Sequence, residues 1–149
     1  MAHPFIKHLL EDHKKQRALG ERLSKAEKPT VRSDLREKMA DELLPHMKGE
    51  EASIFTYIRG SGDAEAREHA LEAVQEHHVA RLVLRELLGL HPDGDVFSAK
   101  AAVLSELNEH HMQEEEGTHF PWIEKHASKE TLDGLFEDYE AAEKRAERS

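Results

Sequence analysis

Apolar residues recur along almost the whole chain at intervals of three and four, and no stretch alternates between apolar and polar residues over the length of a strand. Intervals of three and four place side chains on one face of a helix, whereas a half-buried strand needs a period of two. The pattern therefore predicts an all-α fold. The predicted helices, bounded by proline, glycine or capping residues, cover about 4–26, 33–57, 64–88, 96–126 and 129–145.

The connections between the long helices are short, which makes neighbouring helices antiparallel. The expected architecture is an up-down-up-down four-helix bundle with a short additional C-terminal helix. Ser33, Asp63 and Ser128 are the expected N-caps of the second, third and fifth helices. Pro121 is expected to kink or shorten the end of the fourth helix.

Composition narrows the classes of partner. The chain has 149 residues and a net charge of −10, so it is not expected to bind nucleic acid, which requires clustered Lys and Arg. No apolar run approaches the roughly 20 residues of a membrane span, and Met1–Phe5 lacks the features of a signal peptide. The absence of cysteine excludes disulfides and thiolate ligands. A cytoplasmic location is the default expectation.

The chain contains twelve histidines, and four of them lie at corresponding positions of the four long helices. Each residue of a helix is rotated by about 100° from the last, so a histidine can be placed relative to the apolar face. One histidine near the middle of each long helix falls on that face, and in two helices a glutamate follows one turn later. These residues are His13, His46, Glu50, His77, His111 and Glu115.

The neighbours His77 and His78 are not separated by spacing alone. His13 and His46 are 33 residues apart, as are His78 and His111, which favours His78. Helix phase favours His77, because that position is central on the apolar face. Six further histidines are expected at the surface: His3, His8, His69, His91, His119 and His126. The run Glu137–Glu147 is expected to be a solvated helix face.

A weak internal repeat links the second and fourth helices. The segments 46–55 and 111–120 both begin with His-Met, carry adjacent glutamates four and five residues later, and end in Phe. The first two helices therefore correspond to the third and fourth.

A metal site explains this set of residues better than a hydrogen-bonded core does. A single core-facing histidine is usually only hydrogen-bonded, and a His-x3-Glu pair is often a surface contact. Four imidazoles and two carboxylates in one core, without Arg or Lys, would leave buried charge uncompensated. Two cations would supply the missing charge, and the mixed N/O donor set favours iron or manganese over tetrahedral zinc.

The sequence resembles the hemerythrin-like family, also called the HHE cation-binding domain. The resemblance spans about residues 4–126, and residues 1–149 are expected to form a single hemerythrin-like (HHE) domain. It implies a four-helix bundle around two non-haem irons, with His13, His46, His77 and His111 as imidazole ligands and Glu50 and Glu115 as bridging carboxylates. The motifs that carry it are Asp12-His13, His46-x3-Glu50-Glu51, Glu76-His77 and His111-x3-Glu115-Glu116 with Phe120-Pro121.

The sequence departs from the oxygen-carrying hemerythrins in its ligand set. The resemblance implies that those proteins have a fifth histidine one turn before the ligand of the third helix. This chain has Ala73 at that position, and Arg81 lies one turn after the ligand. In the oxygen carriers, one carboxylate ligand lies five residues after its histidine, which would point to Glu116. Helix phase in this chain favours Glu115. Reversible oxygen transport is therefore not expected. The further ligands left open are water, hydroxide, Glu114, Glu116 and Tyr57.

The predicted function is that of a non-haem di-iron protein that acts on or binds small oxidants, namely peroxide, dioxygen or nitric oxide. Peroxide or nitric-oxide handling is favoured, which would make the chain a catalase-like, peroxidase-like or nitric-oxide-handling enzyme. The alternative is a non-catalytic sensor or carrier of oxygen or nitric oxide, or an iron buffer. The same ligand set would serve the enzyme and the non-catalytic protein, so the sequence does not decide between them. The expected partner is a small molecule, and no protein partner is indicated.

Overall fold

The computed structural model describes residues 2–147, which form five helical rods. No strand occurs in this part of the chain, so the predicted all-α class is confirmed. Within the same residues, no helix is both long and apolar enough to cross a membrane. The elements are α1 (Pro4–Lys25), α2 (Pro29–Ala52), α3 (Ile54–Arg59), α4 (Ala64–Gly89), α5 (Asp95–Glu114), a π-helical turn (Glu115–His119), α6 (Phe120–His126) and α7 (Lys129–Glu147).

Four rods form the bundle. The second rod is α2 continued by α3, and the fourth is α5 continued through the π turn into α6. Helix α1 packs against α2 and α5, and α4 packs against α3 and α5. The fifth rod, α7, lies along α2. This arrangement confirms the predicted four-helix bundle with an additional C-terminal helix.

Two of the three predicted caps are present. The Asp63 side chain accepts a hydrogen bond from the Ala66 N–H at 3.1 Å, and the Ser128 hydroxyl accepts one from the Thr131 N–H at 3.1 Å. The expected cap at Ser33 is wrong, because α2 begins at Pro29. A proline suits the first turn of a helix, since its φ angle is already helical and its missing N–H is not needed there.

The fourth rod leaves α-helical geometry in the turn before Pro121. The Phe120 N–H donates to the Glu115 carbonyl five residues earlier, which is the π-helical pattern. In a regular α-helix the Pro121 ring would clash with the carbonyl of Gly117, and the wider turn relieves that clash. The extra residue changes the phase of the helix and turns His119 inward, where it is 4% exposed. The prediction that His119 lies at the surface is therefore wrong.

The second rod is interrupted at the equivalent place in the repeat. Ser53 leaves the helical region, and its hydroxyl donates to the Gly49 carbonyl at 2.7 Å. Both rods are thus re-aimed just after their glutamate pair, and both then bury a phenylalanine: Phe55 is 0% and Phe120 2% exposed.

Two apolar clusters fill the bundle, and the buried histidines and glutamates lie between them along each rod. One cluster includes Phe5, Leu9, Phe55, Phe120 and Tyr139. The other includes Leu23, Leu35, Leu84, Phe97 and Leu104. Apolar packing on both sides of the polar layer fixes the phase and height of each rod there.

Helix α7 packs tightly on α2 at Gly49, and this contact can be tested. A Cβ on Gly49 would lie 2.5 Å from two carbons of the Tyr139 ring. We expect Gly49→Ala to lower the free energy of unfolding by about 1–3 kcal/mol, because the methyl group overpacks the contact. Urea unfolding followed by circular dichroism measures the change.

Gly134→Ala on α7 is the matched control. Nothing in the described part of the chain lies within 4 Å of a Cβ there. That variant should be more stable than the unmodified chain by about 0.5–1 kcal/mol, since alanine favours a helix interior. Equal free energies for the two variants would contradict the close packing of Tyr139 on Gly49.

Candidate metal centre

The six residues singled out in the sequence come together in the polar layer of the bundle. All six are at most 6% exposed. Each rod of the bundle contributes one imidazole, and the second and fourth rods each add a carboxylate. His13 lies on α1, His46 and Glu50 on α2, His77 on α4, His111 near the end of α5, and Glu115 at the start of the π turn.

A carboxylate fixes the Nδ1 side of every one of the four imidazoles. Burial alone would raise the pKa of all four carboxyl groups. Hydrogen bonds and charges of the histidines, preceded for Glu116 by the hydrogen bond of Arg17, hold each pKa below its usual value. An ionised carboxylate can only accept, so each Nδ1 carries a hydrogen and each Nε2 can offer a lone pair to the centre. The pairs are His13–Glu116 at 2.7 Å, His46–Asp12 at 3.0 Å, His77–Glu51 at 2.8 Å and His111–Glu76 at 3.0 Å.

The pattern of these pairs follows the internal repeat. Asp12, which precedes His13 in the sequence, binds His46 of the second rod. Glu76, which precedes His77, binds His111 of the fourth rod. Glu51, which follows Glu50, binds His77 of the third rod. Glu116, which follows Glu115, binds His13 of the first rod. We call the residues that bind Nδ1 atoms the outer shell of the centre. Its four carboxylates are related by the same approximate two-fold repeat as the six residues that face the centre.

On the inner side, each glutamate lies between two imidazoles. Glu50 Oε2 is 3.2 Å from His46 Nε2, and its Oε1 is 3.2 Å from His77 Nε2. Glu115 Oε1 is 3.2 Å from Nε2 of both His13 and His111. The donor atoms form two adjacent groups that share Glu50: His13, His46, Glu50 and Glu115 in one, and Glu50, His77 and His111 in the other.

These donors converge without satisfying one another. Among residues 2–147, the four carboxylate oxygens of Glu50 and Glu115 and the Nε2 atoms of His13 and His46 find no hydrogen-bond partner. The Nε2 atoms of His77 and His111 lie 2.8 Å apart. Two ligands at right angles on an ion with bonds of about 2.1 Å are about 3 Å apart. The spacing and the unpaired oxygens fit a pair of metal ions.

The charge balance of the centre also favours cations. Burial would raise the pKa of Glu50, but the charge of His46 holds it well below its usual range. Burial would lower the pKa of His46, but Glu50 and Asp12 hold it well above its usual value. In the metal-free chain, protons on His46 and His111, whose pKa values are both raised, supply positive charge beside Glu50. Bound cations would displace those protons and take over that role.

Tyr139 on α7 is a residue of the outer shell that the sequence analysis missed. Its hydroxyl donates to Asp12 Oδ2 at 2.8 Å and lies 2.9 Å from His46 Nδ1. Burial and the Asp12 charge raise the pKa of the phenol, so it stays protonated and can donate. The expectation of a solvated face over Glu137–Glu147 is therefore wrong at this position. The available signal was the helical spacing of the buried residues Leu132, Leu135, Tyr139 and Ala142.

The additional carboxylate ligands considered from the sequence lie outside both donor groups. Glu116 is bound to His13 Nδ1 and to the Arg17 guanidinium, at 3.0 Å from its NH1. Tyr57 packs against Trp122, with 6.4 Å between ring centroids. Neither Glu116 nor Glu114 belongs to a donor group anywhere in the described chain.

The structure also distinguishes the neighbouring histidines. His77 is 1% exposed and faces the centre, whereas His78 is exposed. Ala73, one turn before His77, is 1% exposed, and it adds no donor beside that histidine. Arg81, one turn after, pairs with Glu51, the carboxylate that holds His77.

In a comparison with family models, the chain matches the hemerythrin HHE cation-binding domain over residues 5–123. The chain belongs to this family. No curated protein and no solved structure gives a significant match. The matched part of the HHE domain contains all six residues of the two donor groups and ends before α7. Tyr139 therefore lies outside the matched part.

The two neighbouring histidines provide a test of the centre. We expect His77→Ala to bind less metal than the unmodified chain, because it removes a donor of the second group. His78→Ala should bind as much metal as the unmodified chain, because that side chain faces solvent. Parallel elemental analysis of the two variants measures this. Loss of metal from His78→Ala alone would show that the phase of α4 is wrong.

Removal of the metal should destabilise the bundle without unfolding it. The two apolar clusters retain their packing, while the glutamates lose the cations that compensate them. We expect the melting temperature to fall by about 10 °C, the shift for a ligand that contributes about 4 kcal/mol to a domain of this size. Circular dichroism of protein treated with a chelator checks both points. A random-coil spectrum at room temperature would contradict the prediction.

Proposed function

We propose that this HHE domain holds two iron ions and that its centre reacts with small oxidants, hydrogen peroxide first among them. The observation that supports it most directly is the position of Glu50. Its two oxygens face imidazoles of different donor groups, each at 3.2 Å. That is the arrangement of a carboxylate that bridges two ions.

The donor set favours iron and leaves room for an outside ligand. Each group offers two imidazoles and shared carboxylate oxygens, so an ion that prefers six ligands keeps positions for a further molecule. Ala73 adds no further donor beside His77. A mixed imidazole and carboxylate set of this size suits iron or manganese, whereas zinc prefers a closed site of four ligands.

The surroundings restrict the substrate to a small molecule. The Phe120 ring stacks on His13 with 5.5 Å between centroids, and the Phe55 ring lies 5.6 Å from His77. These rings and the two apolar clusters exclude bulk water from the glutamates and leave no room for a large substrate. Peroxide, dioxygen and nitric oxide meet that limit.

Peroxide disproportionation needs no further reactant. One peroxide takes up two electrons and two protons, its O–O bond breaks, and two water molecules form. The second peroxide loses two electrons and two protons and leaves as dioxygen. Two iron ions can supply two one-electron changes, which matches this exchange. The chain's own residues keep the imidazoles oriented through their Nδ1 hydrogen bonds and hold the two carboxylates in a dry layer.

The test is metal analysis combined with an oxygen-electrode assay of protein purified without oxygen. We expect about two iron atoms per chain, and one dioxygen released for every two peroxides consumed. No long-lived oxygen adduct should form, because the chain lacks the additional imidazole of the carriers. His77→Ala should lose most of the activity, while His78→Ala, its matched control, should keep it.

Three results would overturn the proposal. One zinc and no iron, in protein expressed with iron supplied, would exclude the di-iron centre. A stable and reversible oxygen adduct would favour a carrier. Full iron content without peroxide consumption would favour a sensor or an iron buffer.

A further inference from the structure

A cavity of about 640 Å³ lies between α1, α2 and α5, and its lining contains none of the six residues of the donor groups. Its outer part reaches solvent past exposed residues such as Glu21 and Gln113. We call it the amide cavity, after the two buried amides in its inner wall, Gln16 and Asn108. The rest of that wall is apolar and consists of Met39, Leu43, Leu104 and Met112.

The inner wall of the amide cavity lies one helical turn from the donor groups. Gln16 follows His13 by three residues, and Asn108 precedes His111 by three. Leu43 likewise precedes the histidine of α2 by three. Residues three apart on a helix share a face, so the wall and the imidazoles are neighbouring layers of the same bundle interior.

Gln16 carries an unsatisfied donor at this position. The side chain is 2% exposed, and its Oε1 accepts a hydrogen bond from Asn108 Nδ2 at 3.1 Å. Its Nε2 is buried and has no hydrogen-bond partner among the residues that the structure describes. Leaving a buried N–H group unpaired is costly, so a buried amide beside a cavity is suited to a ligand that accepts a hydrogen bond.

The charges at the mouth of the amide cavity narrow the choice of ligand further. Glu21, Glu106 and Glu109 line it. Arg17 is the only Lys or Arg of the described lining, and it is paired with Glu109 at 2.8 Å and with Glu116. This acidic rim disfavours anions. Dioxygen and nitric oxide are weak hydrogen-bond acceptors and gain little from a buried amide. Hydrogen peroxide is neutral, small and a good acceptor.

We propose that the amide cavity binds hydrogen peroxide on its way to the metal centre, with Gln16 Nε2 donating a hydrogen bond to a peroxide oxygen. Asn108 positions Gln16 by donating to its Oε1. The reaction that follows rests on the proposed function, whereas binding in the cavity does not. This selects peroxide over apolar diatomic molecules by hydrogen bonding before any reaction begins.

The first experiment measures binding without turnover. Protein labelled with ¹⁵N and loaded with zinc, which does not change oxidation state, is titrated with hydrogen peroxide. The Gln16 side-chain NH₂ resonances, identified by their absence from the Gln16→Met spectrum, should shift and saturate. The NH₂ resonances of Gln75, which is exposed on α4, should not. Unchanged Gln16 resonances across the titration would overturn the proposal.

The second experiment uses Gln16→Met, which keeps the length of the side chain and removes both the Nε2 donor and the Oε1 that accepts from Asn108. Gln75→Met is its matched control. In iron-loaded protein, Gln16→Met should lower kcat/KM for peroxide about tenfold, the effect of one lost hydrogen bond. Its iron content, its optical spectrum and its rate of nitric-oxide binding should equal those of the control. An unchanged kcat/KM, or an equal loss in the nitric-oxide rate, would overturn the proposal.

The two experiments separate this inference from the proposed function. A saturable Gln16 shift in a protein that does not consume peroxide would support the cavity and refute the reaction. Peroxide consumption that is insensitive to Gln16→Met would support the reaction and refute the cavity.

Discussion

The structure depends on two carboxylates, Glu50 and Glu115, held in the bundle interior, where their oxygens have no hydrogen-bond partner among residues 2–147. Free imidazoles could turn to hydrogen-bond these oxygens and close the centre into an ordinary ion-paired core. The outer carboxylates prevent this, because each ties down the far side of one ring. The donor atoms consequently point at common positions in space rather than at each other, and the two flanking apolar clusters keep the four rods at the heights that this requires.

Repetition accounts for much of this order. The motif of a histidine and two glutamates occurs on the second and fourth rods, with the first glutamate facing inward and the second holding a histidine of another rod. Each rod then departs from α-helical geometry, at Ser53 in one case and in the π turn in the other, and buries a phenylalanine against the imidazoles. Similar local sequences thus build both halves of the centre.

The inner residues could be predicted because helix phase is a local property: a rotation of about 100° per residue decides which histidines face the apolar side. The π turn could not, since one residue of added phase leaves no mark in the apolar pattern, and it moved His119 into the core. Tyr139 was hidden for a different reason. Its role depends on α7 lying against Gly49, a contact between segments far apart in sequence. The outer carboxylates were visible beside each ligand, but their partners depend on which rods are neighbours.

The outer shell has unequal stiffness around the four rings. Glu116 and Glu51 are each anchored by an arginine, Arg17 and Arg81, and Asp12 is anchored by Tyr139. Glu76, which holds His111, is partly open to solvent, and its other neighbour is the exposed His110 at 3.4 Å. The ring of His111 is thus the least constrained of the four. Two ions held by this shell would be chemically distinct despite the repeat, with the one bound by His111 the more easily reshaped when a ligand arrives or its charge changes.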